Sequence, residues 1–363
     1  MRTLSSAFNS IQKYLFPVLE EEIDKLTEKQ REFVRAVELI DPERFMGSYN
    51  CSGFGRPLSK RQNIFKAYIA KSVYNYPTTK VLIENLISSP SLRRLCGWEY
   101  PGKIPSESTF SRAFTGFAEG ELTHKVHDTL IIEHVAPRLN CHVSSDSTAI
   151  KAREKFCREN KPGKKKKAKR GRPRKGEVRA PKPVRRLELQ PHRSLKENLA
   201  DLPYGCDWGK KKDSKSKTMQ WKGYKLHIDT IDGDIPVSAI LTSASPHDNQ
   251  VAIPLMQMTS QKLTSMYNLM DSAYDAPEIH EYSRSLQHVP IIDHNKRRGE
   301  KREFEPARKI RYRERSAAER VNSYLKDNYG GETVRVKGQK KVIAHLMFGL
   351  IAITAKQLFN LLS

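Results

Sequence analysis

Three acidic residues stand out for where they fall. Asp146 closes the strand-like run Cys141-His142-Val143-Ser144-Ser145, Asp271 closes the apolar run Met266 to Met270, and Glu319 lies in a helical stretch from about Tyr312 to Lys326. Hydrolysis or transfer at a phosphodiester needs a nucleophile and a leaving oxygen in line, each stabilised by a metal ion about 4 Å from the other. Hard cations take oxygen ligands, so carboxylates converging from different elements are the residues to seek. If these three meet, two Mg2+ or Mn2+ ions are expected between them.

The third carboxylate has the most informative neighbours. Tyr312, Arg315, Glu319 and Lys326 are spaced by three, four and seven positions. At about 100° per residue they fall on one helical stripe only about 60° wide. One carboxylate is then flanked by two cations and a phenol, an arrangement suited to a metal ligand among phosphate-gripping groups. A solvated face carrying an ordinary Arg315 to Glu319 ion pair is the plainer alternative. Rival carboxylates are Asp248, Asp275 and Asp293. Asp248, in Pro246-His247-Asp248-Asn249, reads as a helix cap, while Asp275 stays open as an alternative to Asp271. Glu314 sits about 140° around the helix from Glu319 and faces elsewhere.

Tyr312-x2-Arg315-x3-Glu319-x6-Lys326 resembles the Tyr-Arg-Glu-Lys signature of a large group of bacterial insertion-sequence transposases of the DDE class. Asp146-Ser147-Thr148 looks like that group's first catalytic Asp motif, and Asp271-Ser272-Ala273-Tyr274-Asp275 like its second. The likeness covers about residues 60 to 362, apart from the basic insertion described below. It implies that Asp146, Asp271 and Glu319 bind the catalytic metals and that Tyr312, Arg315 and Lys326 position DNA phosphates. One departure matters: Glu319 follows Asp271 by 48 positions (319 minus 271), too few for the β-rich insertion that some members carry there. A basic loop, Lys296 to Lys309, stands in its place, so a hairpin-stabilising mechanism is not carried over.

Composition agrees with a polyanionic partner. The chain has 363 residues, 65 Lys and Arg against 41 Asp and Glu, a formal charge of +24 and a pI near 9.8. Such an excess favours nucleic acid through counterion release, with an anionic membrane surface as the rival. Five cysteines, Cys51, Cys96, Cys141, Cys157 and Cys206, never form a C-x-x-C pair. That argues against a disulfide framework and a zinc knuckle and suits a reducing cytoplasm; the resemblance implies a bacterial one, at the nucleoid. Met1-Arg2-Thr3-Leu4-Ser5-Ser6 is not followed by an apolar core after a basic patch, so a secretory signal is not expected. The most apolar stretch, Val342 to Ala355, is closed by Lys356, is too short to span a bilayer, and reads as a buried helix.

The elements that must position these residues can be read in order. Residues 1 to 136 read as helices, at about 19 to 40, 60 to 74, 78 to 88, 107 to 118 and 120 to 135, punctuated by Pro77, Pro90, Pro101 and Pro105. They form an expected N-terminal domain for DNA binding and dimerisation. Within it, Ser106 can cap a helix whose first turns present Ser108 and Arg112 outward, as a helix-turn-helix reader would. An ordinary helical packing domain is the alternative.

After Pro137 the period changes. Tyr224 to Asp229 alternates as a half-buried strand, Asp232-Gly233 supplies a turn, and Ile235 to Leu241 returns. A helix from Asp248 to Thr264, strands at 266 to 270 and 289 to 292, and closing helices at 312 to 326 and 339 to 362 complete residues 137 to 363. Antiparallel strands followed by βα crossovers describe an α/β, ribonuclease-H-like core, a mixed sheet flanked by helices. A flexible basic insertion at about 151 to 220 interrupts it. From Lys151 to Arg186 there are eighteen basic and three acidic residues, a net of +15 (18 minus 3), with almost no apolar ones. Inside it, Lys169-Arg170-Gly171-Arg172-Pro173-Arg174-Lys175 resembles an AT-hook. Arg170, Arg172, Arg174 and Lys175 would lie along an A·T-rich minor groove, or else serve as a nonspecific phosphate-binding arm.

The resemblance implies metal-dependent strand cleavage at element ends and strand transfer into target double-stranded DNA, and a homodimer is expected because two ends must be brought together. A catalytically inactive DNA-binding derivative, or a ribonuclease-H-like nuclease without strand transfer, are the alternatives.

Overall fold

The sheet is organised around one long strand. A computed structural model describes residues 3–23, 25–49, 59–155, 184–212, 218–295 and 303–362. In it β1 (Asn140–Ala152) runs antiparallel to β3 (Thr218–Ile231), which β2 (Asp207–Lys212) and β4 (Ile235–Ser243) flank on its other side. The β2 strand pairs with the first part of β3, Thr218–Gly223, and β4 with the second, Tyr224–Ile231. The expected hairpin is present: Gly233 and Asp234 take φ of +81° and +58° in the turn that Asp232-Gly233 announced.

On its opposite edge β1 is shared in the same way. There β5 (Ser265–Met270) runs parallel to Asn140–Ser144, and the two-residue β7 (Thr333–Val334) runs parallel to Lys151–Ala152. A further parallel strand, β6 (Val289–Ile292), extends the sheet beyond β5. Between the ends of β5 and β7, residues 145–150 have no strand partner on that side among the described residues. The opening lies beyond the carboxyl end of β5, where open α/β sheets form crevices. Asp146 therefore lies in the middle of β1, not at a strand end as the sequence suggested.

The helices before the sheet are α1 (Leu4–Ser10), α2 (Phe16–Ile23), α3 (Glu28–Ile40), α4 (Arg61–Val73), α5 (Thr79–Ser88), α6 (Pro90–Leu95), α7 (Glu107–Glu119) and α8 (Leu122–His134). The amphipathic run from Leu19 to Ile40 is two helices, not one. Thr27 and Gln30 form a reciprocal capping box that restarts the chain as α3. Within the expected insertion, β1 extends to Ala152, and residues 184–212 hold α9 (Arg186–Leu189), α10 (Leu195–Ala200) and β2. This part is built in: Leu187 and Asn198 are buried, Asn198 donates to Gln257 Oε1 at 2.9 Å, and Arg186 pairs with Asp201 at 2.7 Å. The flexible reading of 151 to 220 is corrected to that extent, and residues 156–183 lie outside the described residues.

The remaining helices are α11 (Asn249–Ser260), α12 (Pro277–Ser285), α13 (Pro306–Tyr312), α14 (Ser316–Asn328) and α15 (Gln339–Asn360). The last has a mean hydropathy of 1.7 over its most apolar window, of which 83% is buried inside the fold. It packs against α3, α4, α7 and α8 and against β4, so one hydrophobic core continues from the N-terminal helices into the sheet. Phe348 at its centre meets the rings of Phe65, Tyr68 and Phe114 at 5.1, 5.5 and 6.2 Å. The boundary expected near residue 136 is thus not a boundary of the core.

Gly223 sits where β1, β2 and β3 meet, paired with both Lys151 and Asp207. Its φ is +154°, and a Cβ there would lie 2.0 Å from the Ile150 carbonyl oxygen. Gly223→Ala must push β1 and β3 apart, so it is expected to cost about 1–3 kcal/mol, the range for overpacking a closed site. Urea denaturation at constant slope measures that loss; an unchanged midpoint would show that the strands part freely here.

Candidate active site

Strand register brings the first two carboxylates together. On β1 and β5 the partners are Asn140 with Ser265, Val143 with Asn268 and Ser144 with Leu269, a constant offset of 125 (265 minus 140). Continued two residues, that offset places Asp271 beside Asp146. Adjacent strands lie about 4.8 Å apart, so these side chains share one neighbourhood. Asp271 ends the strand by capping the turn that follows, its Oδ1 accepting from the Ala273 N–H at 2.8 Å.

Burial and charge leave both groups short of stabilisation. Burial pushes the Asp146 carboxyl up to about 6, and the Asp271 charge adds to the rise, against the pull of Lys211, the Ser147 N–H and Asn322. Asp271 is also raised, first by burial and then by the charge of Asp248. Next to them the Tyr274 hydroxyl is buried with no hydrogen-bond partner among the described residues, and its pKa is raised by burial and by Asp248, Asp146 and Asp271. Two crowded carboxylates with oxygen donors and too little positive charge fit a hard divalent cation.

The third carboxylate arrives on α14, whose Ala317, Ala318, Val321 and Leu325 are buried where the helix packs on β1 and β3. The same face carries Asn322, which donates to Asp146 Oδ2 at 2.9 Å. Glu319 precedes Asn322 by three residues, one helical turn from a group that touches Asp146. Its carboxylate, however, is 52% exposed and accepts from Arg315 Nη2. Among the described residues no three His, Cys, Asp or Glu side chains stand close enough to hold a metal ion. Asp146 and Asp271 are therefore brought together, while Glu319 is one turn away and paired to Arg315, as the plainer reading of the stripe had it.

The single helix expected from Tyr312 to Lys326 is interrupted. Tyr312 ends α13, residues Arg313–Arg315 form a 3-10 turn, and α14 starts at Ser316. The turn is pinned to the sheet by Ser144 Oγ, which donates to the Glu314 carbonyl at 3.1 Å. Tyr312 and Arg315 still meet, the guanidinium standing 5.6 Å from the ring centroid. Lys326 is half-buried, and burial, together with Lys211 and Lys151, lowers its pKa near Glu332 and Asp146. Of the loop expected from Lys296 to Lys309, residues 296–302 lie outside the described residues, and Pro306 onward is α13.

Two rival carboxylates have partners that the sequence could not show. Asp248 occupies the N-cap position of α11 but makes no side-chain cap there. Instead its Oδ1 accepts from Lys225 Nζ of β3 at 2.8 Å, and both groups are largely buried. The helix-cap reading is corrected: Asp248 is a partner of Lys225 and a neighbour of Asp271. Asp275 accepts from the Asn295 N–H at 3.0 Å and lies 3.1 Å from His280 and 3.3 Å from His294, so it ties two loops together. Ser108 and Arg112 are exposed on α7, where Arg112 Nη2 donates to Thr109 Oγ1 at 3.3 Å; Ser106 stands at the N-cap without a side-chain cap bond. Arg170, Arg172, Arg174 and Lys175 lie outside the described residues.

A buried carboxylate that sequence reading passed over lies behind the site. Asp229 on β3 is 0% exposed and accepts from Ser145 Oγ at 2.5 Å and Thr259 Oγ1 at 2.6 Å. Its place in the alternating strand Tyr224 to Asp229 was the available signal. Burial pushes its pKa up to about 6. Because the folded value is raised, its contribution to stability is complete below the usual carboxylate value near 4 and is lost as pH rises through about 6. Asp229→Asn is therefore expected to lose less stability than wild type between pH 4 and 7, by on the order of 1–3 kcal/mol. Thermal melts across that window check it; parallel curves would exclude a raised Asp229.

Residues 137–355 match the family described as Transposase DDE domain, and residues 20–116 match Transposase domain (DUF772). No curated protein and no solved structure matches the chain. The mixed sheet flanked by helices is consistent with the ribonuclease-H-like domain of that family, which typically uses divalent metal ions. With the DDE match spanning more than half of its length, the chain belongs to the DDE transposase family.

Proposed function

We propose that this transposase carries the Tyr-Arg-Glu-Lys signature as its phosphate-gripping set and performs both strand cleavage at element ends and strand transfer into target DNA. The register match of Asp146 with Asp271, crowded enough to raise both pKa values, is the observation that supports this most. Asp146, Asp271 and, once released from Arg315, Glu319 would hold two Mg2+ or Mn2+ ions. Bound there, the ions supply charge stabilisation to the attacking and leaving oxygens of an in-line displacement.

The chain's own residues do the rest. Arg315, freed from Glu319, and Lys326 meet phosphate oxygens, and Tyr312 holds Arg315 in line through its ring. Asn322 keeps Asp146 oriented. In the first reaction water attacks phosphorus and the bond to the element's 3′ oxygen breaks, leaving a 3′-hydroxyl. In the second that hydroxyl attacks a target phosphodiester, forming one P–O bond as another breaks. Phosphoester bonds are conserved in the second step, so no nucleotide is consumed. The exposed Ser108 and Arg112 on α7, with the N-terminal helices, recognise the element ends, and the 170 to 175 segment adds minor-groove or phosphate contacts. A homodimer holds the two ends.

The test is incubation with Mg2+, a plasmid carrying the gene with its flanking DNA, and a second target plasmid. Paired cuts and target joined to the element's 3′ ends are expected. Cut ends without joined target would leave a nuclease, and binding without cutting would leave an inactive DNA-binding protein.

A further inference from the structure

We propose that a cavity between α4, α7 and the segment joining β7 to α15 binds a backbone phosphate of duplex DNA, at a point on the order of 20 Å from the carboxylates. This rests on the reading of the chain as a protein that acts on DNA and gives that DNA a second anchor.

The cavity has a volume of about 310 Å³ and is lined by Lys71, Arg335, Lys337 and Lys341, with the hydroxyls of Ser111 and Thr115. Lys71 is only 7% exposed, yet no hydrogen bond or ion pair engages its side chain among the described residues. A largely buried lysine whose ammonium meets no carboxylate favours an anion at the cavity it opens on. Burial, with Arg335 alongside, draws its pKa down to about 8. Glu107 is the one acidic lining residue, set against four cations. His345 adds no charge, because burial draws its pKa down to about 3, and its Nε2 is spent on the Gly330 carbonyl at 3.1 Å. Several cations with the Ser111 hydroxyl beside them form a receptor for a multi-oxygen anion, while the Thr115 hydroxyl donates to the Ser111 carbonyl at 2.9 Å.

Position selects the source of that anion. Val334, next to Arg335, pairs with Ala152 on β1, six residues beyond Asp146. At about 3.3 Å per residue that is roughly 20 Å, or about six base pairs of duplex at 3.4 Å each. Lys151 lies in the interval and is paired with Glu332, and Lys151 and Lys211 both stand near enough to Lys326 to lower its pKa. Arg335 and Lys337 are exposed at the cavity mouth, and α7 contributes Glu107 and Ser111 beside the outward-facing Ser108 and Arg112. A duplex seated on the carboxylates and running toward α7 passes this mouth.

Fluorescence anisotropy with a short duplex of arbitrary sequence, over a salt series, tests the proposal. Wild type is compared with Lys71→Met, with the exposed pair Arg335→Gln/Lys337→Gln, and with the exposed Lys125→Gln as a charge control. The cavity variants are expected to bind about ten-fold more weakly, with the slope of log K against log salt reduced by about 1, while the control stays near wild type. Wild-type slopes in both cavity variants would overturn the proposal even though wild type binds DNA. Failure of wild type itself to bind would instead overturn the underlying reading. Millimolar inorganic phosphate that raises the melting temperature of wild type but not of Lys71→Met, with DNA slopes unchanged, would assign the cavity to a free phosphate and also overturn it.

Discussion

Replacing Asp146 with Asn is expected to reduce strand cleavage by about a thousandfold or more while the protein melts no lower than wild type. Loss of a metal-holding carboxylate removes several kcal/mol of transition-state stabilisation, and each 1.36 kcal/mol is a tenfold change in rate. The fold gains from the same change. Burial and the neighbouring Asp271 already favour the uncharged form of Asp146, and an amide can still bond to Asn322. Activity and stability should therefore move in opposite directions, the pattern of a site kept strained for function. Plasmid cleavage and a thermal melt on one preparation measure both. A variant that melted lower and cut in proportion to its folded fraction would make Asp146 a structural residue.

Glu319→Gln is expected to lose as much cleavage as Asp146→Asn, with stability unchanged to within about 0.5 kcal/mol. The carboxylate is 52% exposed, and its partner is an i,i+4 Arg315, a pair of the kind that contributes only a few tenths of a kcal/mol. Nothing in the resting contacts of Glu319 would therefore predict a large effect. A large loss of cutting means the side chain leaves Arg315 when substrate and metal arrive. Equal cutting by wild type and Glu319→Gln would reduce the residue to the ion pair in which it is found.

The central pieces of this arrangement were legible in the sequence because they depend on local pattern. Alternation marked β3 and β4, Asp232-Gly233 marked their turn, and the apolar run ending at Asp271 marked β5. The extent of β1 was not legible. Ser147, Thr148 and Ala149 carry no alternating contrast, because a central strand covered on both faces needs none. Asp146 therefore looked terminal when it is central. The β2 strand was hidden for the opposite reason: an edge strand rich in Lys, such as Lys210 and Lys211, protects itself with charge and so resembles a solvated basic linker.

The continuity of the helix expected from Tyr312 to Lys326 was not legible. Arg313, Glu314 and Arg315 are good helix formers, and no residue type announces the 3-10 turn there. A tertiary bond, Ser144 Oγ to the Glu314 carbonyl, holds the turn against the sheet. Asp248 repeats the lesson. Its position before α11 matched a cap, but a lysine from β3 took the carboxylate, and sequence spacing cannot show a partner twenty-three residues away. By contrast the break before α3 was readable in Thr27-x-x-Gln30, a reciprocal cap written within four residues.

Anomalous diffraction from a Mn2+-soaked crystal of the protein with cleaved duplex tests the central claim most directly. Manganese is expected between the carboxylates of Asp146 and Asp271, with Glu319 turned away from Arg315 to join them. Manganese absent from that pair, or bound there with Glu319 still held by Arg315, would contradict it.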